Sequence, residues 1–211
     1  MILSAMNTML KNRWLKFCED AGLDGGNEWQ ELSSAYGEPT RAYHNLHHIG
    51  DCLLRLDEHA HPAIDPVAVE FAIWFHDIVY DSHASDNEER SAVEAAEFLS
   101  ATTHGAVVAD LIRATRHDGM PGSSDAALLC DIDLSILGRP PAAYDAYARA
   151  IRQEYAWVPL PDFVKGRTRV LESFLVRSSV FALEEMEKVY GAKARANLVR
   201  EISTLANLAT E

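Results

Sequence analysis

The chain has 211 residues, 48% apolar and 24% charged. These proportions exclude a disordered or collagen-like chain, and the length is enough to bury a core without staples. With 19 basic against 32 acidic side chains the formal net charge is −13, which repels phosphate backbones and excludes charge-driven binding to a nucleic-acid duplex.

The dominant period is helical throughout. Residues 5–20 predict a helix with Trp14, Leu15 and Cys18 on one side, ended by Gly22, Gly25 and Gly26. A second helix is expected at 28–36, before Pro39. A third is expected at 45–58, where Leu46, Ile49, Leu53 and Leu56 keep helical spacing. Asp65 and Pro66 read as an N-cap with proline in the first turn. The run that follows, VAVEFAIWFHDIVYD, is apolar enough for a buried strand, but its length and the absence of strand partners favour a buried central helix. Asp86, with Glu89 three residues on, carries a capping-box signature for the next helix. Further helices are expected at 105–116, 125–137, 141–156, 161–176, 180–190 and 192–208. No stretch alternates as a strand, and no repeat or low-complexity linker divides the chain. The expectation is an all-α fold with one domain over residues 1–211.

Cys18, Cys52 and Cys130 are odd in number and far apart, which fits a reducing cytoplasm better than a disulfide framework. The N-terminus has neither a basic start nor a clear cleavage site, so no signal peptide is expected. The longest apolar runs, such as Phe71 to Phe75, are too short to span a membrane.

Nine histidines are many for this length, and they cluster. His44, His47 and His48 lie in RAYHNLHHI, His76 and Asp77 in WFHDIVYD, His117 in IRATRHDG, and Asp131 and Asp133 in CDIDLSILG. On one helix His44 and His48 would share a face, being four apart. An ionised Asp77 inside an apolar run needs compensation. That compensation is either a structural pair or a metal, and imidazole with carboxylate suits a divalent ion.

The order H…HD…D makes the chain resemble the HD-domain superfamily of metal-dependent phosphohydrolases. RAYHNLHHI, WFHDIVYD and DIDLSILG, with the later IRQEYAWVP and the Gly166-Arg167 pair, are similar to a bacterial group of predicted HD-superfamily phosphohydrolases over most of the chain. The resemblance implies an HD-type helical bundle with a motif-bearing core at about 40–140 and C-terminal helices at about 141–209. It implies one divalent metal ion (Mn, Mg, Fe, Ni, Co or Zn) held by His48, His76, Asp77 and a distal aspartate. Asp133 is the expected distal ligand, because its position matches the family pattern better. Asp131 lies about 200° away on a regular helix, so the two are not expected to share one ion; it is left as a helix cap or as a group orienting a ligand. YHNLHH resembles the YHNxxH segment of cyclic-nucleotide phosphodiesterases, a distant branch. That likeness implies that His44 is a general acid and His48 a ligand, without implying cyclic-nucleotide specificity.

Other candidates are weaker. His117 stands where some HD proteins add a ligand for a second metal; otherwise it is a surface residue. Glu88 is a candidate water-orienting base or a helix N-terminal acid, with Asn87 beside it. Arg41, Arg113 and Arg116 are candidate phosphate binders or solvated cations. Arg152, Glu154, Lys165 and Arg167 belong to the family-like C-terminal pattern, but no spacing argument puts them in the site. His59, His61, His83 and His104 are expected to face solvent, and Trp14, Trp29, Phe71, Trp74 and Phe75 to lie in the core. The expected activity is metal-assisted hydrolysis of a small phosphorylated substrate, with a nucleotide as the class. The rivals are an HD-type di-iron oxygenase, a non-catalytic metal or nucleotide-binding module, and a purely structural helical protein. The leucine- and isoleucine-rich last helix fits either a homodimer or its own core.

Overall fold

The structure, a computed structural model, describes residues 2–60 and 63–208. It is all-α, and the described residues contain no strand. The helices are α1 (Ile2–Asp20), α2 (Gly26–Ala35), α3 (Leu46–His59), α4 (Pro66–Phe75), α5 (Asn87–Phe98), α6 (Gly105–Ala114), α7 (Ser124–Asp133), α8 (Pro141–Glu154), α9 (Leu160–Leu175), α10 (Glu184–Met186) and α11 (Ala192–Leu208). A 3₁₀ turn, Leu134–Gly138, follows α7, and a π-helical turn, Glu187–Gly191, joins α10 to α11. Among the described residues no helix is long and apolar enough to cross a membrane.

Helix α4 is the axle. Seven of its ten residues are buried, on every side of the helix, because α3, α5, α6 and α7 all pack against it. Its start follows the sequence signal: Asp65 accepts a hydrogen bond from the Ala68 amide at 2.9 Å, and Pro66 occupies the first turn. Its end does not. The apolar run predicts helix through Asp81, but the helix stops at Phe75, with His76 as its cap. Carbonyls on either side of this point are taken by side chains: Tyr36 Oη donates to Trp74 O, and the Arg41 guanidinium to Asp77 O and Ile78 O.

Two apolar clusters flank the chain's middle. The first gathers Trp14, Leu32, Ile49, Phe71, Trp74 and Phe75 from α1–α4, with residues of α5–α7. The second gathers Leu137, Tyr144, Phe174, Phe181, Met186 and Leu198 from the C-terminal segment. The five aromatic residues assigned to the core are all buried, each contributing on the order of 1.5–3 kcal/mol or more. Gly138 lets the 3₁₀ turn touch Tyr190, since a Cβ there would meet the Tyr190 backbone oxygen at 2.8 Å.

Three local expectations are corrected. Asp86 begins α5 without a side-chain capping bond, and Glu89 instead pairs with Arg113 at 2.8 Å, so no capping box forms. The helix expected at 180–190 begins only at Glu184, as α10 and the π-helical turn after it; residues 180–183 are irregular, because side chains satisfy their amides: Glu187 accepts from Val180 and Phe181, and Asp131 from Ala182 and Leu183. His59 does not face solvent; its ring packs edge-on against Tyr190 and its side chain is 11% exposed. His83 is exposed and stacks on Trp157. His104 is partly exposed beside Asp65. His61 lies outside the described residues.

Glu28, half-buried in α2, is pushed up to about 7 by burial, with the charges of Glu31 and Glu94 adding to the effect. A carboxyl with a raised folded-state value holds its proton longer in the native state, so stability falls as pH rises from its unfolded value towards 7. Glu28→Gln is expected to raise the melting temperature at pH 8 and leave it unchanged at pH 4, as read by thermal melts; an equal shift at both pH values would remove Glu28 as the cause.

Candidate metal centre and adjoining cavity

Four donors converge, each from a helix end. His48 sits in the first turn of α3, His76 caps α4, Asp77 follows it, and Asp133 is the last residue of α7. His48 Nε2 lies 3.1 Å from His76 Nε2, 3.5 Å from Asp77 Oδ2 and 3.2 Å from Asp133 Oδ1. His76 Nε2 lies 3.1 Å from Asp77 Oδ2 and 3.8 Å from Asp133 Oδ1. Ligands about 2.1 Å from a divalent ion stand about 3.0–3.4 Å apart at octahedral or tetrahedral angles. The donor spacing therefore fits one ion, and the mix of imidazole and carboxylate suits a transition metal. The Cys52 thiol lies 3.8 Å from the His48 ring and with His48 and Asp133 forms an overlapping donor group; in the protein alone, burial pushes this thiol well above its ordinary range.

The surroundings prepare these donors. His76 Nδ1 is 2.9 Å from the Ile73 carbonyl, so it carries the ring proton and leaves the Nε2 lone pair for the cluster. In the protein alone the cluster draws positive charge. Burial opposes charging His76, yet Asp77 outweighs it and lifts the ring to about 9. Burial likewise opposes ionising Asp77 and Asp133, but His76 holds Asp77 low and bonds from His117 and His48 hold Asp133 low. A cation of higher charge replaces that shared proton when it binds.

His117 joins from the far side. Its Nε2 is 2.8 Å from Asp133 Oδ2, the oxygen turned away from His48. It is the only non-glycine residue with a positive φ among the described residues, at 56°, a conformation that costs on the order of 1 kcal/mol. Arg177 donates to its carbonyl and holds it there.

Asp131 points the other way. It is 1% exposed, accepts from the Ala182 and Leu183 amides at 2.8 and 2.7 Å, and is pushed up to about 6 by burial, which those amides partly offset. Asp131→Ala is expected to destabilise the protein by about 1–3 kcal/mol through the two orphaned amides. Its metal content should match wild type; a loss of metal would mean that Asp131 is a ligand.

His44 reaches the cluster differently from the helical argument. Helix α3 starts at Leu46, with Asn45 as its cap, so His44 precedes the helix rather than sharing its face. The two rings still lie 5.9 Å apart. His44 is positioned by Glu154, whose Oε2 is 2.7 Å from Nδ1 and whose Oε1 accepts from the Tyr43 and His44 amides. Tyr80 stacks on the imidazole at 4.0 Å and donates to the same carboxylate. Burial disfavours the charged ring, but Asp77 and Glu154 raise its pKa above the ordinary range.

A cavity of about 730 Å³ opens beside the donors, lined by His44, Asp77, Asp133, Glu88, Arg116 and Arg167 among others. Arg41 is not among the residues that line it. It is 6% exposed, bound to Glu38 and to the carbonyls after α4, and so braces the Asp77 backbone; this corrects its placement as a group facing substrate. Arg113 is held at the surface by Glu89 and Asp110. Asn87 lines the cavity and ties down Asp81.

The sequence reading missed Glu154, Tyr80 and Arg167 as site residues. The legible signal for Glu154 is an acid on the apolar stripe of α8, three residues after Ile151. Arg167 is held by Glu201 at 2.8 Å and by the Tyr147 hydroxyl at 3.2 Å. That takes three of the five donors of a guanidinium.

No protein-family model matches the chain, and no match was found among curated proteins or solved structures. Residue roles therefore rest on this geometry and its chemistry.

Proposed function

We propose that the protein is a metal-dependent phosphohydrolase of HD type that acts on a small phosphate ester, with nucleotides as the substrate class. The observation that carries this reading is one juxtaposition: two buried histidines, His48 and His76, and two partly exposed aspartates, Asp77 and Asp133, meet at the edge of a cavity beside a histidine backed by a carboxylate.

His48, His76, Asp77 and Asp133 would hold the divalent ion, which when bound would supply Lewis-acid polarisation of a phosphoryl oxygen and lower the pKa of the attacking water. The chain's own groups do the rest. The Glu154 carboxylate fixes the His44 ring and favours its protonated form, so the ring can donate to the leaving oxygen. Glu88 lines the same cavity and is the candidate for orienting the water. Arg116, paired with Asp118, and Arg167, paired with Glu201, line the cavity, and their remaining N–H donors are the candidates for holding the ester's oxygens.

One observation favours a second reading. His117 contacts the outer oxygen of Asp133, which is the position of a ligand for a second ion. Two ions would fit an oxygenase as well as a hydrolase.

The test is metal analysis of protein purified without chelator, followed by a phosphate-release screen over nucleotides with Mn, Mg, Co and Ni. One bound transition metal with phosphate release supports the proposal. Two irons per chain with oxygen uptake and no phosphate release supports the oxygenase. No metal after reconstitution overturns both.

A further inference from the structure

We infer that the donor cluster has a second metal-binding face, on which His48, Cys52 and Asp133 take a thiophilic divalent ion such as Cd or Zn in place of the ion held by the four-donor set. The inference concerns metal binding alone and stands apart from the phosphohydrolase reading.

Cys52 lies one turn after His48 on α3, so the two side chains leave the same face of the helix. Asp133 meets them from the end of α7. One donor atom from each lies within 4.8 Å of the other two. Cys52 Sγ is 3.8 Å from His48 Nε2, and Asp133 Oδ1 is 3.2 Å from the same nitrogen. A sulfur about 2.3 Å and a nitrogen about 2.1 Å from one ion stand about 3.6 Å apart at a tetrahedral angle. The spacing is close to that of a three-donor site.

A buried thiol is more often a small apolar side chain than a ligand. Two observations set Cys52 apart. First, the thiol is 3% exposed, and its hydrogen-bond contacts among the described residues are to the His48 ring alone. Cys130 is as buried but donates to the Ala114 carbonyl at 3.2 Å. Second, a small cavity of about 10 Å³ is lined by His48, Cys52 and Asp133, with Tyr43 and Arg139 among its other walls. That is room for about one water, enough to complete a four-coordinate shell. The large cavity beside His76 and Asp77 is lined by neither His48 nor Cys52, and the two spaces share only Asp133.

Charge and softness choose between the faces. The four-donor set carries two carboxylates. The three-donor set carries one carboxylate and, once the coordinated thiol has lost its proton to solvent, one thiolate. Either set neutralises a divalent ion. Thiolate selects Cd or Zn, whereas the imidazoles and carboxylates of the other face suit Mn. Both faces need His48 and Asp133, so a thiophilic ion displaces Mn.

The experiment compares wild type, Cys52→Ser, Cys52→Ala and Asp77→Asn as full chains. Cadmium NMR of each Cd-loaded protein is recorded, with Cd and Mn affinities by calorimetry and melting temperature alongside. The wild-type signal is expected in the deshielded range of a thiolate ligand, and Cd is expected to release bound Mn. Both Cys52 variants should lose that shift and weaken Cd binding by about tenfold or more, at least the cost of an outer partner. Their Mn affinity should hold within about twofold, below that loss. Asp77→Asn should do the reverse, keeping the thiolate shift and Cd affinity while Mn binding falls by about tenfold or more. It leaves Cys52 in place, so the proposal stays testable if the buried serine or alanine unfolds the chain. A wild-type signal in the range of nitrogen and oxygen ligands alone overturns the second face. So do equal losses of Cd and Mn in the Cys52 variants or in Asp77→Asn, and Cd that binds without releasing Mn.

Discussion

His76→Ala protein is expected to bind no stoichiometric metal after reconstitution and to lose phosphate release by about three orders of magnitude or more, because the ion's several kcal/mol of transition-state stabilisation is lost. The ring contributes one of four converging donors, 3.1 Å from both His48 Nε2 and Asp77 Oδ2. It is also buried, so truncation leaves a cavity that can weaken the fold. Asp133→Asn separates the two effects. It keeps the shape and removes one negative charge, so the fold should survive while metal affinity falls. Metal content by mass spectrometry and melting temperature with and without Mn are the readouts. Wild type should gain about 5–10 °C when metal exceeds its Kd a hundredfold, by linkage of binding to folding, and Asp133→Asn should gain much less. Full metal stoichiometry in both variants would remove the ligand assignment.

The second large effect comes from the His44–Glu154 pair. His44→Ala should retain metal yet lose turnover by about 10²–10⁴-fold, the usual contribution of a positioned acid. Glu154→Gln tests the pair from behind. The amide oxygen can still accept from the Tyr43 and His44 amides, but the amide nitrogen now faces Nδ1. The ring must then accept at Nδ1, and it loses the carboxylate that favoured its charged form. The sign follows: the His44 pKa drops, and the pH above which the rate declines moves down. A rate loss with an unshifted alkaline limb would make Glu154 a structural residue only.

Much of this site was legible because its chemistry is local in sequence. Adjacent His76 and Asp77 in an apolar run demand compensation for the charge, whereas His48 and Asp133 were expected as their partners only from the resemblance to the HD pattern. The choice between Asp131 and Asp133 was half legible. Their divergence on α7 follows from the helix, but which one faces inward depends on the amides of Ala182 and Leu183, some fifty residues on. The proximity of His44 to His48 was expected for a wrong reason, since Asn45 begins the helix after His44. Glu154 was not legible as a partner: 110 residues separate it from His44, and only the packing of α8 joins them. Arg41 misled in the opposite sense. An arginine beside a motif reads as a phosphate binder, yet here its donors serve the carbonyls that end α4. The all-α class was plain from periodicity, whereas the end of α4 and the segment before α10 were set by such side-chain bonds to the backbone.

The two apolar clusters divide the site between them. The metal donors hang on the first, while Glu154 and the wall of the cavity that α8 and α9 build with Tyr147, Ile151 and Phe163 belong to the second. Heating that loosens the C-terminal helices first would strip His44 of its carboxylate and dissolve the wall while the donors stay assembled. Inactivation would then precede both metal release and loss of helical signal. On the phosphohydrolase reading, the same division would let substitutions in α8 and α9 change which ester is accepted while the metal donors stay in place.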